Sequence, residues 1–383
     1  MRRSAILALG AAGVALAVAS EFRIKRAERP LTDRWRTLPI EPRGSTRLGI
    51  SFRPRQAEAM GLEVKEALRT LLTYPFELVR LGAYWDRVES GRGSFDPAEL
   101  DWQIDAAEQT SKQVIVCVGA VKNFGYPEFY VPRHHLPPTL REGSLIGAAS
   151  HPDLLVAATN LVTRVVERYR GHASIVAWQI EHEAVDPLGM EHSWRLAADF
   201  VEGEVNAVRR ADPTRPVLLN GFLPTSLAVR LQQWWRTRDQ GDSLAVAARL
   251  GDIVGIDFYP RHALAAAGRL TAYLDGDGSP WRRRFAGFAQ GRGRRLMVTE
   301  GQAEPWEAVT APPNPKLGVM FSCPPERVID NYNRCLRRAN EAGIRLEAYL
   351  FWGAEYWLLR SRSGDSTYLE AFARVAGVAS SGA

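Results

Sequence analysis

The sequence predicts an α/β protein that forms a single (β/α)8 TIM barrel, and three observations support this. Eight apolar, strand-like runs recur along the chain, at about residues 47–52, 77–82, 113–119, 174–180, 216–221, 252–258, 295–299 and 346–352. Stretches with helical spacing of apolar residues separate them, and eight such units close a barrel. Two of the runs lead into glutamates, Glu183 and Glu300, at the strand ends where barrel enzymes hold their catalytic groups.

Composition is consistent with one large globular domain. The chain has 383 residues, 46% hydrophobic and 24% charged, so it can bury a sizeable core. Barrels of this type commonly reach this length as one domain, and we predict that residues 46–378 form it. The net charge of +6 includes arginine clusters at residues 282–284 and 292–295. They flank a predicted helix and precede a strand, so we expect them to lie on a solvated surface and to bind no nucleic acid. We also expect the protein to be a monomer.

The N-terminus has the features of a targeting segment. Arg2 and Arg3 precede an apolar run at residues 5–19, and Ala17 to Ala19 fits a small-residue cleavage site. We therefore predict that residues 1–20 are a signal peptide or membrane anchor. The protein is then expected to be exported, to the periplasm or the extracellular space.

Cleavage and anchoring both remain open from the sequence. The apolar run is shorter than the roughly 20 residues of a comfortable membrane span, which favours cleavage. Arg23, Lys25 and Arg26 follow it closely and favour a retained anchor. Residues 21–45, punctuated by prolines, are predicted to be a connector.

Between the strands, residues 152–170 and 325–343 carry apolar residues at three- and four-residue intervals and predict helices. The longest irregular stretches, about 120–148 and 301–324, follow strands three and seven. Loops at that end of the barrel build active sites. We therefore expect extended loops there.

Glu183 and Glu300 suit the cleavage of a glycosidic bond. Retaining hydrolysis needs one carboxylate to attack the anomeric carbon and a second carboxyl to protonate the leaving oxygen. Strands four and seven face each other across the barrel mouth, which meets that demand. Either glutamate alone is equally consistent with a surface carboxylate, but the pair in this setting favours catalysis. We expect the carboxyl groups to lie about 5 to 5.5 Å apart.

The string at residues 178–183, Trp-Gln-Ile-Glu-His-Glu, resembles the Trp-Gln-Ile-Asp-Asn-Glu type found in β-galactosidase-like clan A glycoside hydrolases. That clan of retaining (β/α)8 enzymes also includes cellulases and mannanases, and the resemblance covers nearly everything after the N-terminal segment. It implies that Glu183 is the acid/base and Glu300 the nucleophile.

Two neighbours of Glu183 qualify this assignment. His182 stands where the clan usually has Asn to hydrogen-bond the sugar 2-hydroxyl, and some mannanase-like members have His there. An imidazole can donate one such bond and its charge would couple to Glu183; alternatively, it satisfies a backbone carbonyl. Glu181 would point the same way as Glu183 on a strand, and Glu183 is preferred because Glu181 would lie one layer deeper.

The resemblance extends to other strand ends. Arg80, at the end of strand two, resembles the arginine that pairs with the nucleophile, and Tyr259, at the end of strand six, resembles a tyrosine that hydrogen-bonds it. The alternatives are a plain ion pair for Arg80 and a packing ring for Tyr259. Asp257 occupies a place where many members have His, and its role stays open.

Aromatic side chains are expected to form platforms for sugar rings, and the chain has 11 tryptophans. Trp352, at the end of strand eight, is the best candidate beneath the cleaved sugar. Trp306 and Trp85 are equally consistent with the mouth and with the core. Residues 125–132 resemble a loop of β-galactosidase-like members and are expected to shape the cleft.

We therefore predict a retaining hydrolase that cleaves β-glycosidic bonds of an oligo- or polysaccharide. A transglycosylase or a catalytically silent carbohydrate-binding barrel are the alternatives. No cofactor is implied. Seven histidines and three cysteines show no metal-ligand spacing, and we expect no metal.

Overall fold

The computed structural model describes residues 16–26, 33–141, 143–186, 194–237, 243–267, 270–275, 287, 295–305 and 322–378. Several sequence predictions lie outside these ranges. They concern Trp306, residues 1–15 of the N-terminal segment, and the arginine clusters at 282–284 and 292–294.

Eight parallel strands close into a barrel in which each strand pairs with its neighbours in sequence and the eighth pairs with the first. This confirms the predicted (β/α)8 architecture, and each strand lies within three residues of its predicted bounds. The strands are β1 (Arg47–Ser51), β2 (Leu78–Gly82), β3 (Gln113–Cys117), β4 (Ile175–Gln179), β5 (Val217–Phe222), β6 (Ile253–Phe258), β7 (Arg295–Gln302) and β8 (Leu346–Trp352).

Helices surround the barrel. The one at Pro152–Tyr169 illustrates why: Pro152 occupies its first turn, and buried Leu154, Ala158 and Leu161 recur on one face. The described helices are Pro54–Ala59, Val64–Leu72, Trp85–Val88, Ala98–Gln109, Pro152–Tyr169, Ala198–Ala211, Leu227–Thr237, Ser243–Leu250, Pro325–Glu341, Ala354–Arg362 and Thr367–Ala376. The predicted helices at 152–170 and 325–343 are both confirmed.

The barrel interior is layered because strand side chains alternate with a period of two. An apolar layer fills its lower half: Leu78, Ile115, Ala177, Leu218, Ile253, Met297, Ala348 and Leu350. Two residues further along β2, β4 and β5 stand Arg80, Gln179 and Asn220, all buried. The alternation that builds the apolar layer therefore also directs these polar side chains into the barrel interior, nearer to the C-terminal ends of the strands.

Strand β7 carries an irregularity where the site forms. Its register against β6 shifts between Val298 and Glu300. Thr299 hydrogen-bonds Asp257 and the next residue, Glu300, bonds Arg80, so two successive side chains reach the interior. A bulge re-aims side chains in this way.

The N-terminal region contributes structure of its own. Phe22–Arg26, within the predicted connector, is a strand that pairs antiparallel with Leu270–Asp275. That strand in turn pairs with Arg261–Ala267, which follows β6. Within the described ranges, no helix combines the length and apolarity needed to cross a membrane.

Candidate active site

Glu300 lies at the centre of a hydrogen-bonded group in the barrel mouth. Its Oε1 accepts a hydrogen bond from Arg80 Nη1 at 2.8 Å, and its Oε2 accepts one from the Tyr259 hydroxyl at 2.8 Å. The carboxylate is buried, and the guanidinium compensates its negative charge. The structure thus brings together the three residues that the sequence predicted.

Arg80 is itself fixed from two sides. Its Nε donates to Gln179 Oε1 at 2.7 Å, and its guanidinium lies 3.9 Å from the centre of the Phe124 ring. Tyr259 is held protonated, because burial and the adjacent Glu300 raise its pKa well above 10.0. It can therefore act only as a donor to Glu300.

Glu183 follows β4 by four residues, and a neighbouring loop holds its backbone. The strand ends at Gln179, and Glu183 has a positive φ of 43°. Lys122, in the loop after β3, donates through Nζ to the carbonyl oxygens of Glu183 and Asp186, each at 3.0 Å. The loops after β3 and β4 therefore jointly set the position of this carboxyl.

The electrostatics of Glu183 differ from those of Glu300. Burial raises its pKa well above 4.5, and nearby Asp257 raises it further, while Lys122 acts in the opposite direction. The pKa of Asp257 is also raised, first by burial and then by Glu300. Closely placed buried carboxyls do not all ionise together, and the raised pKa of Glu183 favours its neutral form.

Asn220, which the sequence analysis missed, connects these groups. Its Oδ1 accepts from Gln179 Nε2 at 3.0 Å and from the Glu183 backbone N–H at 3.3 Å. Its Nδ2 donates to Asp257 Oδ2 at 2.5 Å. A signal was present in the sequence, because Asn220 is a polar residue at an inward position of a predicted strand.

His182 joins the same network as a neutral ring. Asn220 Nδ2 lies 3.0 Å from its Nδ1, which also lies 3.4 Å from Glu300 Oε1. Burial lowers the pKa of His182 well below 6.5, and Arg80 and Lys122 lower it further. The expectation that a charge on His182 couples to Glu183 is therefore wrong at neutral pH.

Glu181 does not point the same way as Glu183 along a strand, because β4 ends before it and it adopts a positive φ of 49°. Its carboxyl accepts from the backbone N–H groups of Val121 and Lys122, at 2.9 and 2.5 Å, and interacts with Glu204. Gly119 permits this approach, since a Cβ there would lie 2.1 Å from the Glu181 nitrogen. Glu181 thus joins the loop after β3 to the helix Ala198–Ala211.

Trp352 lies in the same part of the molecule as Glu300. It packs with Cys117 and Phe124, and partly buried Tyr259 contacts this group. The Arg53 guanidinium lies 4.2 Å from the centre of its ring, and that cation is paired with Glu304 and Glu355. The indole of Trp352 is therefore held rigidly.

Trp85 does not line the mouth. It is fully buried in the main hydrophobic core, where its Nε1 donates to Glu89 at 2.8 Å. The helix Trp85–Val88 turns the indole inward, toward the ring of His135 at 4.8 Å, so it offers no face to a sugar. Of the remaining aromatic candidates, Trp306 lies outside the described residues.

Two groups in the described part of the chain place potential metal ligands together. One is His182, Asp257 and Glu300, but Arg80 already provides the cation for Glu300, so a metal fits poorly there. The other is Glu89 with His134 and His135, whose Nε2 atoms lie 3.2 and 3.0 Å from Glu89 Oε1. The second group lies in loops after β2 and β3, and its members come together only in the fold.

Comparison with known proteins finds similarity at the level of the fold. No family model and no curated protein matches the chain. A GH5_18 protein from Bifidobacterium longum subsp. infantis aligns with a TM-score of 0.53 and 14% identity, over 87% of this chain and 78% of that one. The chain shares the eight-stranded barrel fold of that structure.

Two further solved structures agree. A GH10 endoxylanase from a sugarcane soil metagenome aligns with a TM-score of 0.52 and 13% identity, over 86% of this chain and 97% of that one. A GH5_18 variant from Bifidobacterium longum subsp. longum, in complex with Manβ1-4GlcNAc, aligns with a TM-score of 0.53 and 11% identity, over 88% and 79% of the two chains. At these identities the likeness concerns the fold.

Proposed function

We propose that this protein is a retaining glycoside hydrolase that cleaves β-glycosidic bonds by double displacement. One observation carries the proposal: two buried carboxyl groups at the barrel mouth have opposite surroundings. Glu300 accepts hydrogen bonds from the Arg80 cation and from Tyr259, as a nucleophile requires. Glu183 has a raised pKa, which suits a general acid.

The reaction follows from these two states. Glu300 attacks the anomeric carbon as the glycosidic C–O bond breaks, and Glu183 gives its proton to the departing oxygen. The deprotonated Glu183 then takes a proton from water, whose oxygen attacks the anomeric carbon and releases Glu300. In the first step Tyr259 and Arg80 hold the attacking carboxylate in one orientation.

Trp352 is proposed to contact the apolar face of a sugar ring through the small exposed part of its indole, which is 8% exposed and packs beside Tyr259. The substrate is proposed to be an oligo- or polysaccharide with a β-linkage. Because one fold neighbour was solved with Manβ1-4GlcNAc, that disaccharide and other β-mannosides belong in the first panel of substrates, beside β-galactosides, β-glucosides and β-xylosides.

Substitution of the two carboxyls tests the proposal. Glu300→Gln is expected to lower kcat by about 10⁴-fold or more, because the amide is not a nucleophile. Glu183→Ala is expected to lose activity on substrates with poor leaving groups and to recover part of it with azide, which replaces the activated water. Steady-state assays with aryl glycosides measure both effects. Glu202→Gln, an exposed position on the helix Ala198–Ala211, is the matched control.

If wild-type protein hydrolyses a substrate and neither substitution alters the rate, the assignment of the site is wrong. If wild-type protein binds sugars but turns none over, a catalytically silent barrel is the better description. Product analysis with and without an acceptor sugar separates hydrolysis from transglycosylation.

A further inference from the structure

Exposed apolar side chains in the described ranges are concentrated in three segments of the chain. Of the large hydrophobic residues that are exposed in the described ranges, only Val156 and Val378 lie elsewhere. The others belong to the N-terminal segment, the helix Leu227–Thr237 and the hairpin after β6, and we call them the apolar face. Its members are Leu16, Phe22, Ile24, Leu231, Trp234, Trp235, Leu264 and Leu270.

The sheet part of this face follows from strand alternation. Phe22 and Ile24 are two residues apart on one strand, so they project from the same side. Leu270 is paired with Arg26, two residues further along, and therefore shares that side. Polar residues are usual on the solvent side of an antiparallel sheet, which makes exposed Phe, Ile and Leu there unusual.

The helical part has the same character. Leu231, Trp234 and Trp235 are spaced by three and four residues and form one stripe. The two tryptophans are 61% and 63% exposed. Gln233, on the opposite side of the helix, is buried, and its Nε2 lies 3.2 Å from Asp186 Oδ2. The helix therefore buries Gln233 and exposes both indoles, together with Arg230 and Gln232, whereas an ordinary surface helix buries its large apolar side chains.

Glu21 joins the two parts. Its carboxylate accepts hydrogen bonds from the Ser226 hydroxyl at 2.6 Å and the Leu227 backbone N–H at 2.8 Å, at the start of the helix. The next residue, Phe22, begins the strand. The helix follows β5 and the hairpin follows β6, so the apolar face lies at the same end of the barrel as the candidate active site.

The charge of these segments is positive. Residues 16–26, 227–237 and 261–275 contain two acidic residues and seven Lys or Arg, of which Arg261 is buried and paired with Asp275. Both acids are engaged, since Glu21 binds the start of the helix and Asp275 bonds Arg261 and Arg327. Apolar groups with tryptophans and surplus cations are the combination that binds the interface of an anionic bilayer.

We infer that the apolar face lies in the surface of an anionic lipid bilayer, with the barrel mouth beside it. The apolar run at residues 5–19 leads directly into this face, so the segment that would reach the membrane and the surface that would contact it are continuous. This inference is independent of the catalytic proposal, because no residue of the face belongs to the active site.

A fluorescent label tests the contact in the full-length chain. The three native cysteines are buried, so Trp234→Cys and Ile24→Cys each provide one accessible thiol for an environment-sensitive dye. Val156→Cys, an exposed apolar position on another helix, is the matched control. With phosphatidylcholine vesicles containing phosphatidylglycerol, emission at positions 234 and 24 is expected to shift to shorter wavelength, and emission at 156 to stay unchanged. Flotation of the same samples establishes how much protein is bound.

Two emission results would overturn the inference. One is bound protein whose labels at 234 and 24 behave like the label at 156, which would mean that only the N-terminal run holds the membrane. The other is an emission shift that appears without vesicles and grows with protein concentration, which would assign the face to a second copy of the chain. Protein that does not float at all also contradicts it.

Discussion

At the scale of residues, the surroundings of Glu183 and Glu300 distinguish two chemically identical side chains. Arg80 and Tyr259 donate to Glu300, and that arrangement could be anticipated from the resemblance to clan A glycoside hydrolases. The state of His182 could not be anticipated. Its neutrality depends on burial and on Arg80 and Lys122, which approach it from other strands and loops.

The raised pKa of Glu183 predicts an alkaline limit to activity. Because the neutral acid is the active form in the first step, kcat/KM should fall as pH rises through the pKa of Glu183, which lies well above 4.5. Cleavage of a glycoside with a strongly activated leaving group needs no proton, so kcat/KM for that substrate should not fall in this way at high pH. Profiles of kcat/KM against pH for the two substrates measure the difference. Identical alkaline limbs would mean that another group is responsible.

Tyr259 provides a second test at this scale. Tyr259→Phe removes one donor to Glu300 and keeps the ring, so kcat should fall by about 10²- to 10³-fold with little change in thermal unfolding. Tyr332→Phe is the control, because its hydroxyl donates to the Glu41 carbonyl, remote from the site. Equal activity of the two variants would mean that the Tyr259 hydroxyl does not contribute to catalysis.

At the scale of elements, loops rather than strands position the acid. Lys122 joins the loop after β3 to the carbonyls of Glu183 and Asp186. Glu181 connects the same loop to Glu204 on the helix Ala198–Ala211. The sequence did not reveal this, because a strand was expected to continue to residue 180 and the chain turns into positive φ at Glu181.

The pKa of Glu204 predicts how the free energy of unfolding depends on pH. Burial and Glu181 raise its pKa well above 4.5, so it is protonated in the folded protein and releases its proton on unfolding. Its contribution to the free energy of unfolding is complete below the pKa that Glu204 has in the unfolded chain. That contribution is lost as pH rises toward the pKa that Glu204 has in the folded protein.

Glu204→Gln cannot ionise, so its stability relative to wild type should increase with pH above about 4.5, by up to about 1.4 kcal/mol per pH unit. Urea denaturation of both proteins at about pH 5, 6 and 7 measures this difference. A difference that does not change with pH would show that Glu204 keeps an ordinary carboxyl pKa in the fold.

At the scale of the whole molecule, the eight strands were predictable because a parallel barrel requires eight buried apolar runs. The resemblance to clan A then indicated Arg80 and Tyr259, and the position at the end of strand eight indicated Trp352. Trp85 was not predictable in this way, because it lies in a short helix after β2 whose direction depends on packing. The sheet that includes Phe22–Arg26 was also missed, since its partner strand lies more than two hundred residues away.

The central claim is that Glu300 forms a covalent bond with the sugar. A 2-deoxy-2-fluoro glycoside with a good leaving group, matched to the sugar that the protein turns over, should inactivate it and accumulate the glycosyl-enzyme. Mass spectrometry of the digested protein then measures where the sugar is attached. The account predicts one fluorosugar on the peptide that contains Glu300. Label on any other residue, or continued turnover with no label, would contradict it.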